Sequence, residues 1–335
     1  MGSACQKKSK TAPQPSLSTS PSAMIDGRVS LQDIRQGIIG RNTVYQSIFG
    51  SLVTLYADDT ASGRPHKRVE DYINSILPIY ANTHSDNSYF PTMMSAVFNK
   101  SREYLLKIFN APSKYCILGT GTGCTGAIYH FQEILLKKFP KIMAVKDNQV
   151  KPLCIVTQYE HHSNILSWEK WGFDVEPIAH TAEDDWEKGL KDLEEKIKKN
   201  LERPLIVISV SGASNVTSQE TPLASVSQLI KQEKTANNGL KDKLIWCADL
   251  AALASHKRID IRSLEVDAVF ISPHKLTGGP GSSGLLIFNT NFYNLETEPT
   301  RPAGGTVDGV FGYKPHEIIF TQSLFERETA GTPGN

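Results

Sequence analysis

From residue 30 onward the chain alternates two apolar patterns. Leu31, Ile34, Ile38 and Ile39 recur at helical spacing, and Met93, Val97, Tyr104, Leu105 and Ile108 do so across residues 92–110. A third helix is predicted over 186–201, with Trp186, Leu190, Leu193, Ile197 and Leu201 on one face. The lysines and glutamates of that segment fill the other face, so its charge run is a solvated surface. Between such segments lie short unbroken apolar runs. Leu52-Val-Thr-Leu-Tyr56 predicts a strand. Five more follow: Tyr115-Cys-Ile-Leu118, Leu153-Cys-Ile-Val156, Leu205-Ile-Val-Ile208, Leu244-Ile-Trp-Cys247 and Ala268-Val-Phe-Ile271. Runs without polar alternation suit strands covered on both sides. The alternation predicts an α/β fold, a mainly parallel sheet with helices on both faces.

Composition narrows the picture. The chain has 335 residues, 36 Lys+Arg against 35 Asp+Glu, and a formal net charge of +1. That balance gives no concentrated basic excess for a nucleic-acid partner. No apolar run approaches the roughly 18–20 residues of a membrane span. Five cysteines at 5, 116, 124, 154 and 247 form no Cys-x-x-Cys pair, which points away from a zinc ribbon and toward free thiols in a reducing, cytoplasmic compartment. Residues 1–28 read as a disordered tail, and the first 24 are rich in Ser, Thr, Pro and Ala. Gly2 and Cys5 could carry acyl chains, which would bring the chain to a membrane. Gln6, however, stands where the acylation motif needs Ser or Thr, so a plain tail is expected.

The unusual residues fall after the strands, where open α/β sheets bind ligands. Gly119-Thr-Gly-Thr-Gly-Cys-Thr-Gly126 follows the 115–118 run and opens a helix from about Cys124 to Lys138. Such a loop offers backbone N–H groups and a positive dipole end to a phosphate. Gly121-x-Gly-x-x-Gly126 also matches a dinucleotide fingerprint, but Glu160 lies well beyond the roughly 20 residues at which that motif places its acid. Tyr159-Glu-His-His-Ser-Asn164 follows the next run, and its adjacent histidines diverge too far to make a good metal pair. Ser211-Gly-Ala-Ser-Asn215 closes the third run. Asp249 closes the fourth, where an acid at the end of an apolar strand needs a partner. Ser272-Pro-His-Lys-Leu-Thr-Gly-Gly-Pro-Gly281 closes the last, and Lys275 there is expected to be partly desolvated, which frees its amine as a nucleophile. A phosphate loop, a ring-stacking His, a buried Asp and an imine-forming Lys together match the needs of pyridoxal 5'-phosphate (PLP). A dinucleotide reading leaves Lys275, Asp249 and His274 without roles.

These motifs resemble the class V aminotransferases, the group that includes cysteine desulfurases and selenocysteine lyases. The likeness runs from about Tyr56 to Pro333 through Tyr56-Ala-Asp-Asp-Thr-Ala-Ser-Gly63, Tyr80-Ala-Asn-Thr-His-Ser85, Gly123-Cys-Thr-Gly-Ala-Ile128, Glu160-His-His-Ser-Asn164, Ser214-Asn-Val216, Asp249-Leu-Ala251, Ser272-Pro-His-Lys-Leu276 and Ala330-Gly-Thr-Pro333. The resemblance implies PLP fold type I with a seven-stranded sheet. It implies that Lys275 forms the Schiff base, that Asp249 pairs with the pyridine nitrogen, and that His161 stacks on the ring and relays protons. Gly123, Cys124, Thr125 and Gly126 would hold the phosphate with Ser272 and His274, and Asn215 would lie near the ring hydroxyl or the substrate. Gly304-Gly305-Thr306 would reach the phosphate of a neighbouring subunit, so a homodimer is implied, with Thr306 contributing in trans.

Three departures qualify the likeness. Ala252 stands where desulfurases usually carry a glutamine bonded to the ring oxygen. Cys124 stands where a small hydroxyl residue or alanine is usual, and it belongs to the phosphate loop, so it is not a persulfide cysteine. The chain ends at Gly334-Asn335, where relatives continue into a small domain that supplies the carboxylate-binding arginine and, in desulfurases, the nucleophilic cysteine. A fragment is therefore expected, divided into the tail 1–28, an N-terminal segment 29–65, a PLP-binding large domain 66–300 and the start of a small domain 301–335. The implied activity is that of a PLP enzyme acting on an amino acid, by transamination or C–S cleavage. The alternatives are a non-catalytic or truncated PLP-binding protein and a nucleotide-dependent oxidoreductase.

Overall fold

The structure is a computed structural model that describes residues 30–83, 87–143, 150–310 and 318–329. The predicted tail with Gly2 and Cys5, the His84-Ser85 end of one motif and the Ala330–Pro333 motif lie outside the described residues. The N-terminal segment forms an antiparallel hairpin, β1 (Val44–Ser47) against β2 (Gly50–Val53). The main sheet comprises β3 (Tyr115–Gly119), β4 (Leu153–Val156), β5 (Asp174–Pro177), β6 (Ile206–Ser211), β7 (Leu244–Asp249), β8 (Ala268–Ile271) and β9 (Leu285–Asn289). A short pair, β10 (Val307–Val310) and β11 (Ile318–Phe320), follows. The seven strands run in the order β3-β9-β8-β7-β6-β4-β5. All are parallel except β9, which is antiparallel to both β3 and β8. The expected seven-stranded, mainly parallel sheet is the one observed.

Helices cover both faces. In chain order the described helices are α1 (Leu31–Gly37), α2 (Lys67–Ile76), α3 (Tyr89–Ile108), α4 (Gly123–Lys138), α5 (Pro140–Met143), α6 (Ser163–Lys170), α7 (Trp186–Lys199), α8 (Leu223–Ala236), α9 (Ile261–Leu264) and α10 (Leu324–Glu328), of which α1 and α2 bury no residue. Successive strand residues point to opposite faces. Leu153 and Ile155 therefore join one core with Leu193 and Ile197 of α7 and Val226 and Ile230 of α8. Cys154 and Val156 join the other with Trp168 of α6 and Phe131 of α4. Double coverage is why the strands carry unbroken apolar runs. Phe131 is fully buried, its ring 6.0 Å from those of Phe270 and Phe288. Truncating it to alanine would cost about 3–5 kcal/mol.

Some expectations shift. The strand predicted at Leu52–Tyr56 is instead Gly50–Val53, because it pairs across the tight turn after Ser47 and leaves the sheet by Thr54. Ile38 and Ile39 lie beyond the end of α1, and Ile38 bridges His66. Strands β5 and β9 were not anticipated. After the sheet, Glu328 pins the following segment back onto α4. It meets His130 Nε2 at 2.7 Å and accepts from Tyr293 Oη at 2.6 Å and from the Thr300 amide at 3.0 Å. Burial alone would raise the Glu328 pKa, but these bonds hold its carboxyl below the usual range.

Candidate active site

Strands β3, β4, β6, β7 and β8 end on one rim, and β9 begins there. A cavity of about 420 Å³ opens at this rim. Its walls take Gly123, Cys124 and Thr125 from the turn after β3, His161 from the loop after β4, and Asn215 from the loop after β6. Asp249 at the end of β7, and Ser272, His274 and Lys275 after β8, complete those walls. Residues scattered over 150 positions thus meet because parallel strands deliver their following loops to one edge.

The glycine loop behaves as its sequence requires. Gly123 has φ +57°, and a Cβ there would come within 3.1 Å of Ser272 Oγ and 3.3 Å of the His274 ring. The loop therefore needs glycine both for its backbone conformation and for the close approach of the β8 loop. A Cβ at Gly126 would lie 2.4 Å from the Thr120 carbonyl. In the first turn of α4, the Gly123, Cys124 and Gly126 amides donate to Gly121 O, Ser272 Oγ and Thr122 O. The Thr125 amide has no acceptor among the described residues, and at the positive end of the helix dipole it is open to an anion. Burial beside Lys275 lowers the pKa of the His274 imidazole.

Asp249 is buried at 4% exposure. Burial raises its pKa, opposed by the Ala251 amide at 2.9 Å, the Cys124 thiol, and the nearby His161 and Lys275. No cation lies within ion-pair distance of it among the described residues. A buried carboxylate facing a cavity without a cation suits a cationic ligand atom. Lys275, half-buried in a 3₁₀ turn over Pro273–Lys275, faces the same cavity. Burial and the neighbouring Asp249 push the Cys124 thiol pKa well up, so it stays protonated. The donor set fits PLP: an anion cradle for its phosphate, an unpaired acid for its ring nitrogen and an amine for its aldehyde.

His161 is exposed at the cavity, and its Nδ1 lies 2.7 Å from Ser163 Oγ. Behind it, Glu160 is saturated. Its carboxylate accepts from Thr157 N and Oγ1, Asn164 Nδ2, and Ser211 N and Oγ, at 2.6–3.2 Å. Asn164 in turn donates to Ser209 O at 3.1 Å. Sequence reasoning missed this frame, and it also missed Asp58, Thr60, Ala61 and Ser163 as cavity residues. A loop that folds back from the N-terminal segment leaves no periodic signal. Its one local clue is Gly63, where a Cβ would sit 3.0 Å from the His274 carbonyl. Thr306 lies away from the cavity within one subunit. It is fully buried, and its hydroxyl donates to Ala303 O at 2.6 Å. Ala252 is buried outside the cavity lining, while Ala251 lines it.

Known proteins share this chain's sequence pattern and fold. The chain is 27% identical over 287 residues to a probable cysteine desulfurase of Pyrococcus abyssi, covering 83% of this chain and 63% of that relative. It is 27% identical over 267 residues to a probable cysteine desulfurase of Borreliella burgdorferi, covering 78% of this chain and 58% of the relative. The apo structure of a cysteine desulfurase from Thermococcus onnurineus shares the fold. It aligns with TM-score 0.67 and 23% identity, covering 90% of this chain and 66% of that one. The chain thus spans less than two thirds of these relatives' lengths. Residues 55–334 match the sequence profile of the Aminotransferase class-V family, and the chain belongs to that family.

Proposed function

We propose that this chain is the cofactor-binding part of a PLP-dependent enzyme that acts on an amino acid. The favoured reaction is C–S bond cleavage of the cysteine desulfurase type. The observation that carries the reading is the pairing of Asp249 and Lys275 in one cavity, each without an ion-pair partner among the described residues, beside the Gly123 cradle. The names of the relatives support C–S cleavage over transamination. When bound, PLP supplies an aldehyde for amine condensation and a ring that takes up electrons from the substrate α-carbon.

The chain's own residues do the rest. The first turn of α4, around Gly123, Cys124, Thr125 and Gly126, would hold the phosphate with the Thr125 amide as its free donor, together with Ser272 and His274. Asp249 would hold a proton on the ring nitrogen and stay ionised beside that cation, which would offset its burial. Lys275 Nζ would anchor the cofactor through its aldehyde and, as a free amine, would serve as the base for the α-proton. His161 and Asn215, which both line the cavity, would contact the ring. A homodimer would bring Thr306 of a second copy to the phosphate. We infer a cytoplasmic location from the thiols of Cys116, Cys124, Cys154 and Cys247, which are free and buried.

Borohydride reduction of the folded, PLP-saturated chain, followed by peptide mass mapping, tests the reading. The expected result is a phosphopyridoxyl group on Lys275. No adduct on a demonstrably folded chain would overturn it.

A further inference from the structure

Two bonds to one ring nitrogen fix more about His161 than its position. Ser163 Oγ lies 2.7 Å from His161 Nδ1, and the Ser163 backbone nitrogen donates to the same atom at 3.2 Å. A backbone N–H can only donate. Nδ1 is therefore the unprotonated nitrogen, the Ser163 hydroxyl also points its hydrogen at it, and the neutral ring carries its proton on Nε2. The loop cannot readily swing to another arrangement. Glu160 is tied to Ser211 on β6 through two bonds, and Asn164 is tied to Ser209 through two more. The Asn164 amide also donates to the His161 carbonyl at 2.8 Å. His161 and Ser163 thus lie on a loop clamped at both ends to the same strand, and both line the cavity.

We propose that Ser163 is a positioning residue that holds His161 as the Nε2–H tautomer, so that the ring presents a hydrogen-bond donor to the cavity. The chemistry follows from the inventory of the two nitrogens. Nε2 already holds a proton and has no lone pair to accept another. Nδ1 has the lone pair, but two donors from Ser163 cover it. The Nε2–H then bonds an acceptor atom of the cofactor or substrate. The inference rests on the PLP reading for what His161 faces, but the tautomer itself does not.

The test uses the 335-residue chain labelled with ¹⁵N-histidine, with and without PLP, and long-range ¹⁵N–¹H correlation spectra at neutral pH. His161→Asn assigns the resonances. The expected spectrum has a pyridine-like Nδ1 and a pyrrole-like Nε2 for His161. In Ser163→Ala the backbone amide at 163 still donates to Nδ1 but the 2.7 Å hydroxyl bond is lost, so the two nitrogen shifts move part of the way toward each other, and in Ser163→Thr they return. A merely structural role for Ser163 at the start of α6 would leave both shifts in place. A pyrrole-like Nδ1 or a doubly protonated ring in the unmodified chain overturns the proposal without any variant, and so does a Ser163→Ala spectrum identical to it. If borohydride labels Lys275 but Nδ1 carries the proton, this inference falls alone. If Lys275 takes no label while Nε2 carries the proton, the PLP reading falls and the tautomer stands.

Discussion

Two buried carboxylates close neighbouring parts of the same rim, and they are provisioned differently. Glu160, after β4, accepts five hydrogen bonds from Thr157, Asn164 and Ser211. Asp249, at the end of β7, has the Ala251 amide and the Cys124 thiol. Burial pushes both pKa values up. The protein has satisfied the first acid from its own donors, while the second is left with its cavity side uncompensated. A saturated buried acid is architecture, and an undersupplied one facing a cavity is a place for a ligand.

That contrast can be broken by substitution. The largest effect is expected from Asp249→Ala in the PLP-loaded chain, where α-hydrogen exchange of an amino-acid substrate should slow by orders of magnitude. Exchange at the unmodified rate would remove Asp249 from the ring-nitrogen role. Next is Glu160→Gln, which turns one acceptor into a donor facing donors. It should destabilise the fold by about 1–3 kcal/mol in urea titration. A neutral result would show that donor number does not separate the two acids.

Removing Asp249 from the cofactor-free chain should have the opposite sign. Asp249→Asn should leave stability unchanged or raise it, because it relieves an unpaired buried charge. The pH dependence sharpens this. A carboxyl whose folded pKa is raised contributes stability that is present below its unfolded value, 3.8 for an aspartate, and lost as pH rises through the folded value. The urea midpoint of the cofactor-free chain should therefore lose an Asp249 contribution as pH climbs above about 4. Asp249→Asn should flatten that decline, and an unaltered slope would contradict the burial argument. The smallest effect belongs to Cys124. Its thiol is buried and protonated, so a thiol reagent should modify it only as fast as the fold opens, as mass mapping over time would show.

The sheet was legible because strands covered on both faces announce themselves as unbroken apolar runs. β5 did not, since Asp174-Val-Glu-Pro177 is an edge strand that needs no apolar run. β9 had its run, Leu285-Leu-Ile-Phe288, and only the glycine-rich stretch before it drew attention elsewhere. At the site, Lys275, Asp249, Cys124 and His274 were legible because each is chemically out of place at a strand end. Asp58 and Thr60 were not, because polar residues in a loop look ordinary until the loop's path is known. Glu160 was weighed as a ribose ligand and set aside on its spacing, and its work of anchoring the loop bearing His161 left no sequence signal.

The reversed strand β9 has a consequence for how this chain is made. Gly119 pairs with Leu285, and the Gly284 carbonyl accepts from Thr120 while its amide donates to Gly121. The turn that would cradle a phosphate is therefore braced by residues synthesised long after it. On a ribosome the anion cradle emerges early and waits, without its brace, until β9 has left the exit tunnel. Any cofactor that binds this rim can stabilise the finished sheet but cannot seed it, and a nascent chain halted before Leu285 should have no site to fill.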